Sequence, residues 1–77
     1  MELRLSGIFD DIREAVITQW YAEEKNCLRK GQDLLEIVTD KATFDIPSPC
    51  DGVLIRKLKS ENAVISMHEA IAEIHEK

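Results

Sequence analysis

With 77 residues, the chain has room for one compact domain spanning 1–77 and too little mass for the deep, water-excluding cleft of most catalytic scaffolds. Apolar residues at 44% and charged residues at 32% are ordinary globular composition and exclude disordered and collagen-like chains. The formal charge of −5, from fifteen Asp and Glu against ten scattered Lys and Arg, speaks against nucleic acid, which needs a basic stripe; basic protein surfaces are the expected partners.

The start, Met1-Glu2-Leu3-Arg4-Leu5, lacks the apolar core of a secretion signal, and no run approaches the ~20 residues that cross a bilayer. The expectation is a soluble monomer that works away from membranes, in the cytoplasm or in the mitochondrial matrix of a eukaryote. Phe9 to Trp20 is the best stretch for a helix. Its β-branched run Val16-Ile17-Thr18 points instead to a strand, and so does its counterpart later in the chain, which begins with the turn residue Gly52. Asp10-Asp11 and Glu23-Glu24 are acidic pairs expected to solvate loops, with a recognition surface as their functional reading. Trp20, the single Trp, is expected in the core or at its rim. Cys27 and Cys50 have no second Cys near either, so no redox or zinc motif runs through them, and two free, partly buried thiols are expected.

An offset of 37 residues superposes the chain on itself without a gap. Glu14-Ala15-Val16-Ile17 falls on Asp51-Gly52-Val53-Leu54, Tyr21 on Leu58, Glu24 on Glu61, Leu28 on Ile65, Leu34 on Ile71, and Glu36-Ile37 on Glu73-Ile74. Apolar positions match apolar and turns match turns, which is an internal duplication. The apolar runs are short, rich in Val, Ile and Leu, and too closely spaced for helices of ordinary length. The predicted fold is all-β: two halves of about four short strands burying their apolar faces against one another. That makes a flattened barrel or sandwich of two roughly four-stranded antiparallel sheets with pseudo-twofold symmetry.

Between the halves, Leu34 to Val38 and Ala42 to Ile46 read as two strands of a hairpin. Ala42, Phe44 and Ile46 alternate with Thr43 and Asp45, predicting one buried face, and Pro47 and Pro49 end the strand. Asp40-Lys41 is the turn: an Asp side chain can bond the backbone just ahead, and Lys41 then projects into water. The two histidines, His68 and His75, have no nucleophile beside them, so acid–base or nucleophilic catalysis has no candidate, and no ligand set for a metal is visible.

Asp40-Lys41-Ala42, the strand after it, Pro47-Ser48-Pro49 and the following Gly52, with Trp20 and Lys30-Gly31-Gln32 upstream, resemble the lipoyl domains of the biotinyl/lipoyl attachment family. The resemblance runs from Glu14 through Ile74. It implies a barrel-sandwich hybrid fold, no catalytic residue, and lipoate joined covalently to the side-chain nitrogen of Lys41, with Asp40 and Ala42 as flanking recognition residues. It further implies a lipoate ligase or octanoyltransferase as modifying enzyme. The partners it implies are the 2-oxoacid dehydrogenase, acyltransferase and dihydrolipoyl dehydrogenase components of a 2-oxoacid dehydrogenase complex, between which the arm shuttles acyl groups and electrons.

Five residues depart from the family pattern. Val38 stands three residues before Lys41, where Glu is common; Lys25-Asn26 replaces Gly-Asp; His68 falls on Gly31 and Ala15 on Gly52 in the duplication. A biotin carboxyl carrier shares the fold and the Lys placement but prefers Met on both sides of its Lys, so Asp40 and Ala42 favour lipoate. An unmodified scaffold or adaptor is the reading from another class, and Val38 and the missing turn glycines are what it rests on.

Overall fold

A computed structural model describes all 77 residues. The strands are β1 (Glu2–Leu3), β2 (Glu14–Trp20), β3 (Cys27–Leu28), β4 (Asp33–Val38), β5 (Thr43–Pro47), β6 (Gly52–Lys57), β7 (Val64–Ser66) and β8 (Ala72–Glu76), with a single 3-10 turn at Leu5–Gly7. The β-branched run Val16-Ile17-Thr18 lies in a strand, as its composition predicts. All pairings are antiparallel, and the strands form two four-stranded sheets ordered β1-β8-β6-β3 and β5-β4-β2-β7. The architecture is thus the sandwich form of the predicted fold, with two separate sheets rather than a closed barrel.

The halves do not pack face to face as self-contained units, which corrects the sequence-based picture. Each sheet is built on one copy's long pair, β2 with β4 or β6 with β8, and then accepts the short strand of the other copy, β7 or β3. Lent across the sandwich, these short strands join an already formed ladder and tie the two copies together.

The duplication reappears in the backbone at the same offset of 37. A register shift between Ile17 and Gln19 in β2 has its twin between Leu54 and Arg56 in β6. Ile17 N donates to Ala63 O and Leu54 N to Asn26 O, each at 3.0 Å; Tyr21 N donates to Leu34 O at 2.8 Å and Leu58 N to Ile71 O at 2.9 Å. The two non-glycine residues with positive φ, Lys25 at 73° and Asn62 at 71°, are also twins. Trp20 N binds Glu61 Oε2 at 3.0 Å and Lys57 N binds Glu24 Oε2 at 2.9 Å, so Glu24 and Glu61 cap equivalent strand ends.

Sixteen apolar residues form one core between the sheets, drawn from both copies: Ile17, Leu34 and Ile37 from the first and Leu54, Ile71 and Ile74 from the second are fully buried. Alternation holds along β5 for Ile46, which is buried, and for Phe44, which is half-buried. Ala42, expected on the same face, is exposed and lies outside the strand. Pro47 is the last residue of β5, an edge strand, where its missing N–H leaves no ladder bond unmade. Gly52 is buried against β8, and a Cβ there would stand 2.1 Å from the His75 carbonyl oxygen. That close approach is why only glycine fits. Ala15, its twin, meets β7 instead of a long strand.

Candidate functional site

The hairpin between β4 and β5 is the one long-strand connection that reverses the chain locally at an end of the sandwich. In the other sheet, β1 pairs with β8 where β5 pairs with β4: Glu73 faces Glu2 as Glu36 faces Asp45. Two strands from opposite ends of the chain therefore stand where the twin hairpin would be. Pseudo-symmetry yields a single tip, not two.

The tip is shaped by Thr39. Its backbone N–H donates to Ala42 O at 2.9 Å, and its hydroxyl Oγ1 accepts from Lys41 N and from Ala42 N, both at 3.1 Å, while donating to Ala42 O at 3.1 Å. A Ser/Thr hydroxyl that satisfies the next backbone donors substitutes for a turn's own backbone bonds. Asp40, the residue expected to close the turn, makes no side-chain hydrogen bond and is exposed; the turn is closed one residue earlier, and a hydroxyl residue ending a strand just before the reversal is the sequence sign of it.

Lys41 projects from this turn with its side chain 68% exposed, and Ala42 behind it is exposed and small. It is not alone. Asp11, in the segment between the 3-10 turn and β2, places Oδ2 3.6 Å from Nζ. With both partners largely in water, such a pair contributes between 0 and about 1 kcal/mol. The structure therefore brings one of the four acidic pair residues to the tip. Glu23 and Glu24 lie elsewhere, where Glu23 pairs with Lys57 at 3.2 Å.

The remaining singled-out residues do not join the tip. Trp20 is half-buried against the core rim, its indole N–H donating to Lys59 O at 3.0 Å and Lys57 Nζ standing 5.4 Å from its ring. Both cysteines are free; Cys50 is half-buried, but Cys27 is exposed on β3, against expectation, because its neighbour Leu28 takes the inward position. Burial pushes the Cys50 thiol up, and the Glu76 carboxylate adds to the effect. His68 and His75 are exposed. Gly31 has φ of 89°, whereas His68, its twin, does not enter the left-handed region. The two turns differ in backbone as well as in residue.

On the outer face of the same sheet, away from the tip, Tyr21 donates to Asp45 Oδ1 at 3.0 Å, or shares its hydrogen with Glu36 Oε2 at 3.2 Å, and Glu36 Oε1 accepts from Thr18 Oγ1 at 2.7 Å. Partial desolvation, followed by these carboxylate contacts, pushes the Tyr21 hydroxyl up to about 12. The Thr18 hydrogen bond, ahead of those from Tyr21 and Gln19, holds Glu36 below the usual carboxylate range.

Residues 2–74 match the family model Biotin_lipoyl, described as biotin-requiring enzyme. The dihydrolipoyllysine-residue succinyltransferase component of the 2-oxoglutarate dehydrogenase complex of Rickettsia felis is 36% identical over 76 residues, which cover 99% of this chain and 19% of that protein. The acetyltransferase component of the pyruvate dehydrogenase complex of Acholeplasma laidlawii is 30% identical over 73 residues, 95% of this chain and 13% of that protein. This chain thus spans about a fifth or less of the length of these relatives. In fold it is similar to the lipoyl domain of the 2-oxoglutarate dehydrogenase complex from Azotobacter vinelandii, with a TM-score of 0.78 at 17% identity, over 99% of this chain and 96% of that one.

Proposed function

The chain belongs to the Biotin_lipoyl family, and from that premise we propose that it is a lipoyl carrier domain whose Lys41 takes lipoate in amide linkage. The observation that carries the reading is the tip itself: an exposed amine between Asp40 and Ala42, on a reversal closed by backbone and hydroxyl bonds at the end of a rigid hairpin. A large acyl chain fits there, since Ala42 is small and Asp11, the carboxylate 3.6 Å from Nζ, is itself exposed. The neighbours of Lys41 are not the Met pair of a biotin carrier, which favours lipoate over biotin.

This chain supplies no activated acyl donor, so activation of the acyl group belongs to a lipoate ligase or octanoyltransferase. The amide forms between Nζ and the acyl carbonyl carbon as the donor's leaving group departs and the amine gives up a proton. When bound, the dithiolane supplies an acceptor for an acyl group and two electrons. This chain's own residues position the attachment atom and present Asp40 and Ala42 for recognition; none acts as a catalyst. Tethered in a larger chain, the domain raises the local concentration of the arm at each active site. The similarity to succinyltransferase and acetyltransferase components supports a place in a cytoplasmic 2-oxoacid dehydrogenase complex, between its dehydrogenase, acyltransferase and dihydrolipoyl dehydrogenase components.

Intact-mass measurement after co-expression with a lipoate ligase tests the reading. The expected result is one lipoyl increment that disappears in Lys41→Ala. A biotin increment, or none under conditions that modify a control lipoyl domain, overturns it.

A further inference from the structure

Alternation along β2, β4 and β7 sends Ala15, Ile17, Ile37 and Ile65 into the core, each at most 3% exposed, and turns Val16, Val38 and Val64 to the opposite face of the sheet. These three are cross-strand neighbours: Val38 pairs with Val16, and Val16 with Val64. The result is a row of branched apolar side chains across three strands, at the end of the sheet that bears Lys41. None of the three belongs to the core, and Val64, at 58%, exceeds every other exposed large hydrophobic. The equivalent row in the other sheet is Cys27, Val53 and His75, so neither the fold nor the duplication demands the valines.

The row lines a groove of about 820 Å³ that also takes in Phe9, Phe44, Asp11 and Lys41. The two aromatic rings pack with centroids 5.2 Å apart. Lys41 does not extend straight off the tip. Its Nζ reaches to within 3.6 Å of Asp11, on the other segment lining the groove, so the atom at which an arm would begin already stands at the groove's mouth. Adjacent strands are about 4.8 Å apart. From β4 to β7 the row therefore runs about 10 Å, a length of the order of an extended octanoyl chain.

We propose that this valine-lined groove is a resting site for the acyl-dithiolane arm carried on Lys41 of the same molecule. The inference rests on the carrier reading above. Acylation converts the ammonium to a neutral amide, which removes the ion pair with Asp11, and it adds an apolar chain beside apolar surface that is otherwise left in water. Val38 takes part because it is uncharged; a Glu at that position would place a carboxylate on the path from Lys41 to Val16.

The test is methyl NMR on valine-labelled domain in unmodified, octanoylated and lipoylated forms, each confirmed by mass. Expected are shifts of the Val16, Val38 and Val64 methyls on acylation and nuclear Overhauser contacts from arm methylenes to Val64. Both should be lost in Val64→Thr and in Val38→Glu, while the mass increment stays in Val64→Thr. Since wild-type contacts need no variant, misfolding of either variant leaves the test intact. A mass-confirmed lipoyl domain whose shifts stop at residues 39–42 overturns the resting site and leaves the carrier reading standing. So does a set of valine shifts that arises only when a partner component is added. Absence of any mass increment overturns the carrier reading and the resting site with it.

Discussion

Thr39 carries three hydrogen bonds through one hydroxyl oxygen at the tip. A typical intramolecular hydrogen bond is worth about 0.5–1.5 kcal/mol net, and water can replace part of it at an exposed site. Thr39→Ala should therefore lower stability by about 1 kcal/mol in urea unfolding, with most of the loss restored in Thr39→Ser. The same pair should show slower, then recovered, modification of Lys41 if the hydroxyl sets how the lysine is presented; a Thr39→Ala domain modified at the wild-type rate would remove that role. Gly52 is the opposite kind of residue, needed for its missing side chain. A methyl 2.1 Å from the His75 carbonyl oxygen must push β6 from β8. Gly52→Ala is expected to cost about 3 kcal/mol or more, read as a fall in the urea midpoint.

At the scale of elements, the turns after β2 and β6 solve one backbone problem with different residues. Lys25 and Asn62 both hold left-handed φ, a conformation that costs an ordinary L-residue about 1–2 kcal/mol and that Asn visits more readily. Lys25→Asn should thus stabilise the domain by about 0.5–1 kcal/mol and Asn62→Lys should destabilise it by a similar amount. Opposite signs at twin positions are the expected outcome in paired denaturation curves. Equal signs would mean that side-chain contacts, not backbone conformation, govern these turns. Strand exchange makes both turns consequential: each leads into the short strand that joins the other copy's sheet, so a weakened turn loosens both halves.

For the whole molecule, pH tests how far surface networks contribute to the folded state. The Tyr21 hydroxyl is raised from 10.0 to about 12 by partial desolvation and its Asp45 and Glu36 contacts. Its contribution is complete below pH 10.0 and declines as pH rises toward about 12, because the unfolded chain releases the proton first. Tyr21→Phe should show a shallower fall in urea midpoint across that window than the wild type. Glu36 and Glu69 are held low, Glu36 chiefly by Thr18 and Glu69 chiefly by Lys59. Lowered carboxyls stabilise above their unfolded values and lose that effect as pH falls through their folded ones. Glu69→Gln should accordingly blunt acid destabilisation, measured as a smaller drop in midpoint on acidification.

Much of this protein was legible in the chain alone. The offset of 37, the period-two alternation of Ile46 and Phe44, the reversal at residues 39–42 and the exposed Lys41 are all local signals: they depend on neighbouring side chains and on what a turn can accommodate. What only the tertiary structure decided is partnership. Local sequence marks β3 and β7 as short apolar runs, but not which residue of β3 faces inward nor that each strand pairs with the other copy, since a short strand takes its partner from whichever ladder lies open. In the same way, nothing along the chain joins Asp11 to Lys41, or Val16 to Val38 and Val64. Those neighbours are separated by 22 to 48 residues, and packing of two sheets around one core is what brings them to a single end of the molecule.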